Sequence, residues 1–262
     1  MKILIIDKFF QKHDLAQVDM YRVIAEHHKV TFSVNPMADI LKDDYDLLYL
    51  GLYHQSLEND LDISALLFHN RKPVIVDQAD NEEFIQRNQI RADQNIKWVL
   101  SRYLPNGEFE GYCHERGLPY AILPWYVNPD RFPMGEKTNE IAFIASMYGN
   151  RNDLAKQIRS MVDVDSTSYI IGEYWGAEYR DILSKSRMLV VECGRKCLTQ
   201  KYIEGALAGC ILVGDKPLYP ANQLKVSGFF DIADNVKYNR DYILSTFANK
   251  EWFLERFNEL LK

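Results

Sequence analysis

Cysteine is scarce. Cys113, Cys193, Cys197 and Cys210 are the only four in 262 residues, and they have neither zinc-ribbon nor redox spacing. Three residues separate Cys193 from Cys197 and no histidine lies near them, so the reading is of reduced thiols with no metal site. Long apolar runs are missing too, since none approaches the ~20 residues that cross a bilayer. The first run, Ile3-Leu4-Ile5-Ile6, stops at Asp7, too short for a signal-peptide core. The expectation is a cytoplasmic protein with no integral membrane segment. Nor is there an excess of basic charge. Lys plus Arg number 31 against 37 Asp plus Glu, a formal charge of -6 with a pI near 5.6. A generally basic nucleic-acid surface is excluded, and only a local basic cleft stays open. What is present is globular. With 47% hydrophobic and 26% charged residues, a chain of this length buries a real core, and neither disorder, collagen-like repeats nor a disulfide-stapled miniature fits.

Short aliphatic or β-branched runs recur at Lys2–Ile6, Lys29–Val34, Tyr45–Leu50, Pro73–Asp77, Lys97–Leu100 and Tyr120–Leu123. Between them lie stretches of helical spacing, such as Leu15, Val18, Tyr21, Val23 and Ile24. Continuous apolar strands alternating with helix-length segments predict a parallel sheet covered on both faces, the doubly wound α/β arrangement. The alternation then breaks at Leu123–Pro133, where three prolines fall between 124 and 133. Proline removes a donor and turns the preceding residue away from helix. The stretch reads as an extended linker, with a long surface loop inside one sheet as the alternative.

Beyond it the alternation restarts. Glu140–Ala145 reads as a strand, Arg151–Met161 as a helix, Thr167–Ile171 as a strand and Tyr179–Lys185 as a helix. Met188–Val191 follows as a strand, Thr199–Leu207 as a helix and Cys210–Val213 as a strand, before a helical tail over Tyr242–Leu261 that can fold back across the domain junction. The expected organisation is two Rossmann-like doubly wound α/β domains facing a cleft. These are an acceptor-side domain over 1–123, a linker over 124–137, and a domain over 138–262 that includes the C-terminal helices. Residues 1–124 carry 13 Lys/Arg and 19 Asp/Glu, a balance of -6, whereas 125–262 carry 18 of each, a balance of 0. A polyanionic ligand prefers the second half.

Ligands of open α/β sheets bind beyond the carboxyl ends of the strands, and three such ends in the second half are unusual. At Phe143–Arg151, Ser146 and Arg151 can meet phosphate oxygens at a helix N-terminus; an ordinary turn capped by Asn150, with Arg151 in solvent, is the alternative. At Ile171–Gly176, Gly172 and Tyr174 suit a planar base packed against backbone, while core packing of Tyr174 and Trp175 suits the pattern equally. At Val191–Val213 a strand ends at Glu192. A loop with Gly194, Arg195 and Lys196 then leads to a helix opened by Thr199. Gly205, Ala206, Ala208 and Gly209 allow that helix to approach the sheet, and Glu204 lies off its packed stripe. A carboxylate there can accept both hydroxyls of a ribose while the helix N-terminus and basic loop hold a diphosphate; a solvated helix position is the plain alternative.

Gln200–Val213 resembles the nucleotide-sugar signature of GT-B-fold glycosyltransferases. Leu123–Phe132 is similar to their interdomain connector, and Phe143–Arg151 resembles the start of the second domain in the group-1, family-4-like subset that includes spore-maturation-type enzymes. The resemblance implies Glu204 on the donor ribose and Arg151, Arg195, Lys196 or Lys201 near the phosphates. It also implies Gly194 backbone in the phosphate cradle and Glu192 facing the donor sugar. Eleven residues separate Glu192 from Glu204, wider than the pair in retaining members, which leaves the anomeric outcome open. The glycine-rich loop that many relatives have after the first strand is replaced by Asp7–Asp14.

An inverting transfer needs a general base within reach of the acceptor hydroxyl. His54 and Asp80 are the first-half candidates, and His13 stands behind them. The expected activity is metal-independent hexosyl or pentosyl transfer from a UDP- or GDP-type sugar, with no further cofactor. The acceptor is a glycan or, as second choice, a hydroxymethylated DNA base, with DNA disfavoured by the acidic first half. A nucleotide-sugar 2-epimerase and a catalytically inactive nucleotide-sugar-binding protein are the alternatives.

Overall fold

A computed structural model describes residues 1–7, 16–51, 62–77, 90–102, 107–145, 150–161, 169–192, 200–217, 219–229 and 231–262. The chain divides into a first unit of Met1–Tyr126 with Lys250–Lys262, and a second of Val127–Asn249.

The first unit holds strands β1 (Lys2–Ile6), β2 (Lys29–Phe32), β3 (Leu47–Gly51), β4 (Val74–Asp77), β5 (Ile96–Ser101) and β6 (Tyr120–Ile122). They form one parallel sheet of order β2-β1-β3-β4-β5-β6. Successive side chains alternate faces. Leu4, Ile6, Leu48, Leu50, Val74, Val76 and Val99 therefore share one core with Ile40 of α2 (Pro36–Lys42), Ile63, Leu66 and Leu67 of α3 (Ile63–His69) and Cys113 of α4 (Gly107–Glu115). The opposite face meets α1 (Ala16–His27), which buries Val18, Tyr21, Val23 and Ile24 at the helical spacing its sequence shows.

The second unit holds β7 (Asn139–Ile144), β8 (Tyr169–Gly172), β9 (Ser186–Val191) and β10 (Ile211–Gly214) in a parallel sheet of order β10-β9-β7-β8. On one face Ile141, Phe143, Met188, Val190, Ile211 and Val213 pack with Ala155 and Ile158 of α5 (Asn150–Met161). The unit also contains α6 (Gly176–Lys185), α7 (Gln200–Leu207) and α8 (Val236–Ser245). Helix α7 lies so close to the sheet that a Cβ on Gly205 would sit 2.4 Å from Leu189 Cδ2 and 3.1 Å from Leu212 Cδ2. It ends in a Schellman motif, with Gly209 at φ 75°, Gly209 N–H donating to Ala206 O and Cys210 N–H donating to Gly205 O at 2.9 Å. Lys137 Nζ donates to Ser184 O at 3.0 Å and Ala208 O at 2.7 Å, closing the C-terminal ends of α6 and α7.

The helical tail is divided into α8 and α9 (Lys250–Leu261), separated by 246–249, and α9 belongs to the first unit. Side chains of β5 satisfy its terminal carbonyls, with Trp98 Nε1 donating to Leu260 O at 2.8 Å and Lys97 Nζ to Leu261 O at 2.6 Å. Phe257 also packs near Tyr49 of β3 and His28. Within 124–137, Trp125, Tyr126, Val127 and Phe132 are buried. Trp125 covers the Arg102 guanidinium at 4.4 Å, Tyr126 packs against Phe253, and Val127 N–H donates to Phe247 O.

Candidate functional site

In each sheet the chain leaves one strand in opposite directions, which opens a crevice at the carboxyl ends. In the second unit that point lies between β7 and β9, and the charged residues expected from sequence gather around it. Glu192 follows β9 directly, Arg151 stands in the first turn of α5, and Lys201 and Glu204 lie in the first and second turns of α7. Arg151 Nε donates to Glu192 Oε1 in a largely buried ion pair. Tyr179 of α6 donates its hydroxyl to Glu204 Oε2 at 2.6 Å. Burial, and then the Glu204 carboxylate, hold the Tyr179 phenol well above its ordinary range.

Lys201 is partly buried among these groups, and among the described residues it makes no hydrogen bond or ion pair. Burial and the neighbouring Arg151 lower its pKa to about 8, against opposing pulls from Glu192 and Glu204. The arrangement is a cation held beside two carboxylates and a second cation, at the N-terminal turn of a helix whose amide dipoles favour anions.

Glu204 differs from expectation. Only 8% of it is exposed, because α7 sinks so deeply onto the sheet that every residue from Tyr202 to Leu207 is buried. It is enclosed beside Tyr179 rather than lying off the packed stripe. At the end of β8, Gly172 is covered by its own neighbour, since a Cβ there would meet the Tyr174 ring at 2.9 Å. The Gly172 backbone face is therefore occupied by Tyr174. Gly214, not foreseen from sequence, closes β10 at φ 129°. A Cβ on it would lie 2.1 Å from Val191 O, one residue before Glu192.

The first sheet has its crevice between β1 and β3, and there the structure shows a buried polar group. Arg102 and Asp77 form a wholly buried ion pair. Arg102 Nη1 donates to Leu123 O at 2.8 Å, while its Nε has no hydrogen-bond partner among the described residues. Tyr49 donates to Asp77 at 2.5 Å, and Tyr21 donates to Asp7. Burial alone would lower Arg102, but Asp77 and Tyr49 outweigh it and hold the guanidinium above its usual value. Burial and adjacent carboxylates raise both tyrosines well above theirs. Asp7, Gly51, Asp77 and Arg102 stand at or just beyond the carboxyl ends of β1, β3, β4 and β5. The only sequence signal was an aspartate ending each of two apolar runs.

His13, His54, Asp80, Ser146, Gly194, Arg195, Lys196 and Thr199 lie outside the described residues. Among the described residues no group of three or more His, Cys, Asp or Glu could hold a metal ion, and no helix is long and apolar enough to cross a membrane.

Two parallel-sheet α/β domains, six-stranded and four-stranded, match the two-domain GT-B-like fold. No protein-family model matches the sequence, and no curated protein sequence matches it. Solved structures do. Anabaena Alr3699/HepE in complex with UDP-glucose is similar at a TM-score of 0.51 and 10% identity, over 98% of this chain and 95% of that one. The same Anabaena protein in complex with UDP is similar at 0.52 and 11% identity, over 98% and 96%. At these identities the likeness is one of fold.

Proposed function

We propose that the second unit binds a nucleoside-diphosphate sugar and that the protein transfers the sugar to an acceptor hydroxyl. The observation that carries this is Lys201, a partly buried cation, unpaired among the described residues, beside Arg151 at the N-terminal turn of α7, in the crevice between β7 and β9. Breaking the anomeric C–O bond leaves negative charge on the departing diphosphate, and fixed cations with helix amides stabilise that charge as it develops. In this reading Lys201 and Arg151 face the diphosphate. Glu204, steadied by Tyr179, accepts a ribose hydroxyl. Glu192, held by Arg151, borders the donor sugar. Arg195, Lys196, Thr199, Ser146 and the Gly194 backbone remain proposed donor contacts, and His54, Asp80 and His13 proposed bases. The fold shared with a UDP-glucose complex makes UDP the first donor type to test, with GDP second.

The test is calorimetric titration with UDP, followed by product analysis with UDP-sugars. Binding by the wild type that falls at least tenfold in Lys201→Met supports the site. Transfer to a glycan or hydroxymethylated DNA supports the activity, and hydrolysis without an acceptor is consistent with it. Conversion of the donor to its C2 epimer would replace transfer with epimerisation, and binding without turnover would reduce the protein to a nucleotide-sugar binder. No binding of UDP or GDP would overturn the reading.

A further inference from the structure

We infer that the indole of Trp175 is the platform on which the donor's nucleobase stacks. This rests on the proposed reading of the second unit as a nucleoside-diphosphate site and extends it to the base. Trp175 is 73% exposed, an unusual state for the largest apolar side chain. Local folding does not require a tryptophan there. The residue stands at the N-cap of α6 and makes no side-chain cap bond, in a position that favours Ser, Thr, Asp or Asn.

Its placement suits a ligand. Trp175 follows the carboxyl end of β8, on the same end of the sheet as Glu192 and Arg151. One helical turn later, Tyr179 donates its backbone N–H to Trp175 O and its hydroxyl to Glu204. A short, continuous path therefore links the indole to the carboxylate assigned to the ribose. β8 and β9 are separated by β7 alone, about 10 Å by the spacing of neighbouring strands. A ribose and its diphosphate bridge that gap, with phosphates at Lys201 and the base at the β8 end. Tyr174 does not compete for the base, because its ring is folded over Gly172. A π-face accepts any base, so Trp175 supplies affinity rather than base identity.

The experiment is direct because the other three tryptophans, Trp98, Trp125 and Trp252, all belong to the first unit. Titration of the whole protein with UDP is followed by intrinsic fluorescence and, in parallel, by calorimetry, with pyrophosphate as a probe that lacks a base. The expected result is a fluorescence change in the wild type that is absent from Trp175→Leu. UDP should bind about tenfold more weakly to that variant, pyrophosphate should bind unchanged, and Trp175→Phe should recover most of the loss. UDP binding to Trp175→Leu at wild-type strength, or an equal loss for pyrophosphate, overturns the inference and leaves the diphosphate site standing. Absence of UDP, GDP and pyrophosphate binding to the wild type overturns both.

Discussion

Lys201 is a charge kept where burial and a neighbouring arginine oppose it, and this has a consequence in pH. Its value of about 8 lies below the ordinary 10.5, so the unfolded chain holds a proton that the folded one sheds between those values. The lysine's contribution to stability therefore rises with pH across that window. A bound diphosphate favours the ammonium. UDP binding should take up part of a proton near about pH 8 and weaken as pH rises above it. Calorimetry in two buffers of different ionisation enthalpy should show the uptake in the wild type and none in Lys201→Arg, whose guanidinium does not titrate. Buffer-independent heats for the wild type would contradict this. Arg102 presents the converse case of a buried charge that is paired. Arg102→Met strands Asp77 inside the first unit and should cost about 3–5 kcal/mol in denaturant unfolding, while a loss under about 1 kcal/mol would show the pair to be dispensable. The two residues were unequally legible. Lys201 sits in a short stretch whose glycines and basic loop can be read directly. Arg102, Tyr21 and Tyr49 come from separate elements, and their spacing reads as ordinary core or strand end until the fold brings them together. The burial of Glu204 was not legible, because sequence shows which stripe a helix packs and not how deeply it sinks.

At the level of elements, strands were the most legible feature, since uninterrupted apolar runs have few alternatives to a sheet buried on both faces. The observed β1 coincides with its run at Lys2–Ile6, and β4 with all but the first residue of Pro73–Asp77. The approach of α7 to the sheet was also legible from Gly205, and the geometry now ranks its glycines. Gly205→Ala forces a Cβ against the Leu189 side chain and should cost about 1–3 kcal/mol as overpacking. Gly214→Ala forces one against the Val191 backbone carbonyl at a positive φ, which no rotamer change relieves. It should lower the urea midpoint further than Gly205→Ala does, and it should weaken UDP binding by displacing Glu192. Equal midpoints for the two variants would show that the β10 terminus yields as readily as the Leu189 side chain.

For the molecule as a whole, sequence conveyed two α/β units and a tail able to fold back across their junction, without fixing the ownership of the final helix. Amphipathic spacing in α9 announces a face to be buried, and nothing local names the surface that buries it. The structure assigns that face to the first unit through Phe257, Trp98 and the paired His28 and Asn258. A chain ending at Asn249 should therefore lose amide-exchange protection in β1, β3 and β5 while β7 and β9 keep theirs. The reverse pattern would return α9 to the second unit. The proposed activity joins these scales, because a diphosphate site in the second unit gives Lys201, Arg151 and the α7 terminus a common purpose. Its most direct test is the affinity of UDP for the wild type and Lys201→Met, measured side by side by calorimetry. The account predicts saturable binding to the wild type and a loss of at least tenfold in the variant; equal affinities, or no binding to either, would contradict it.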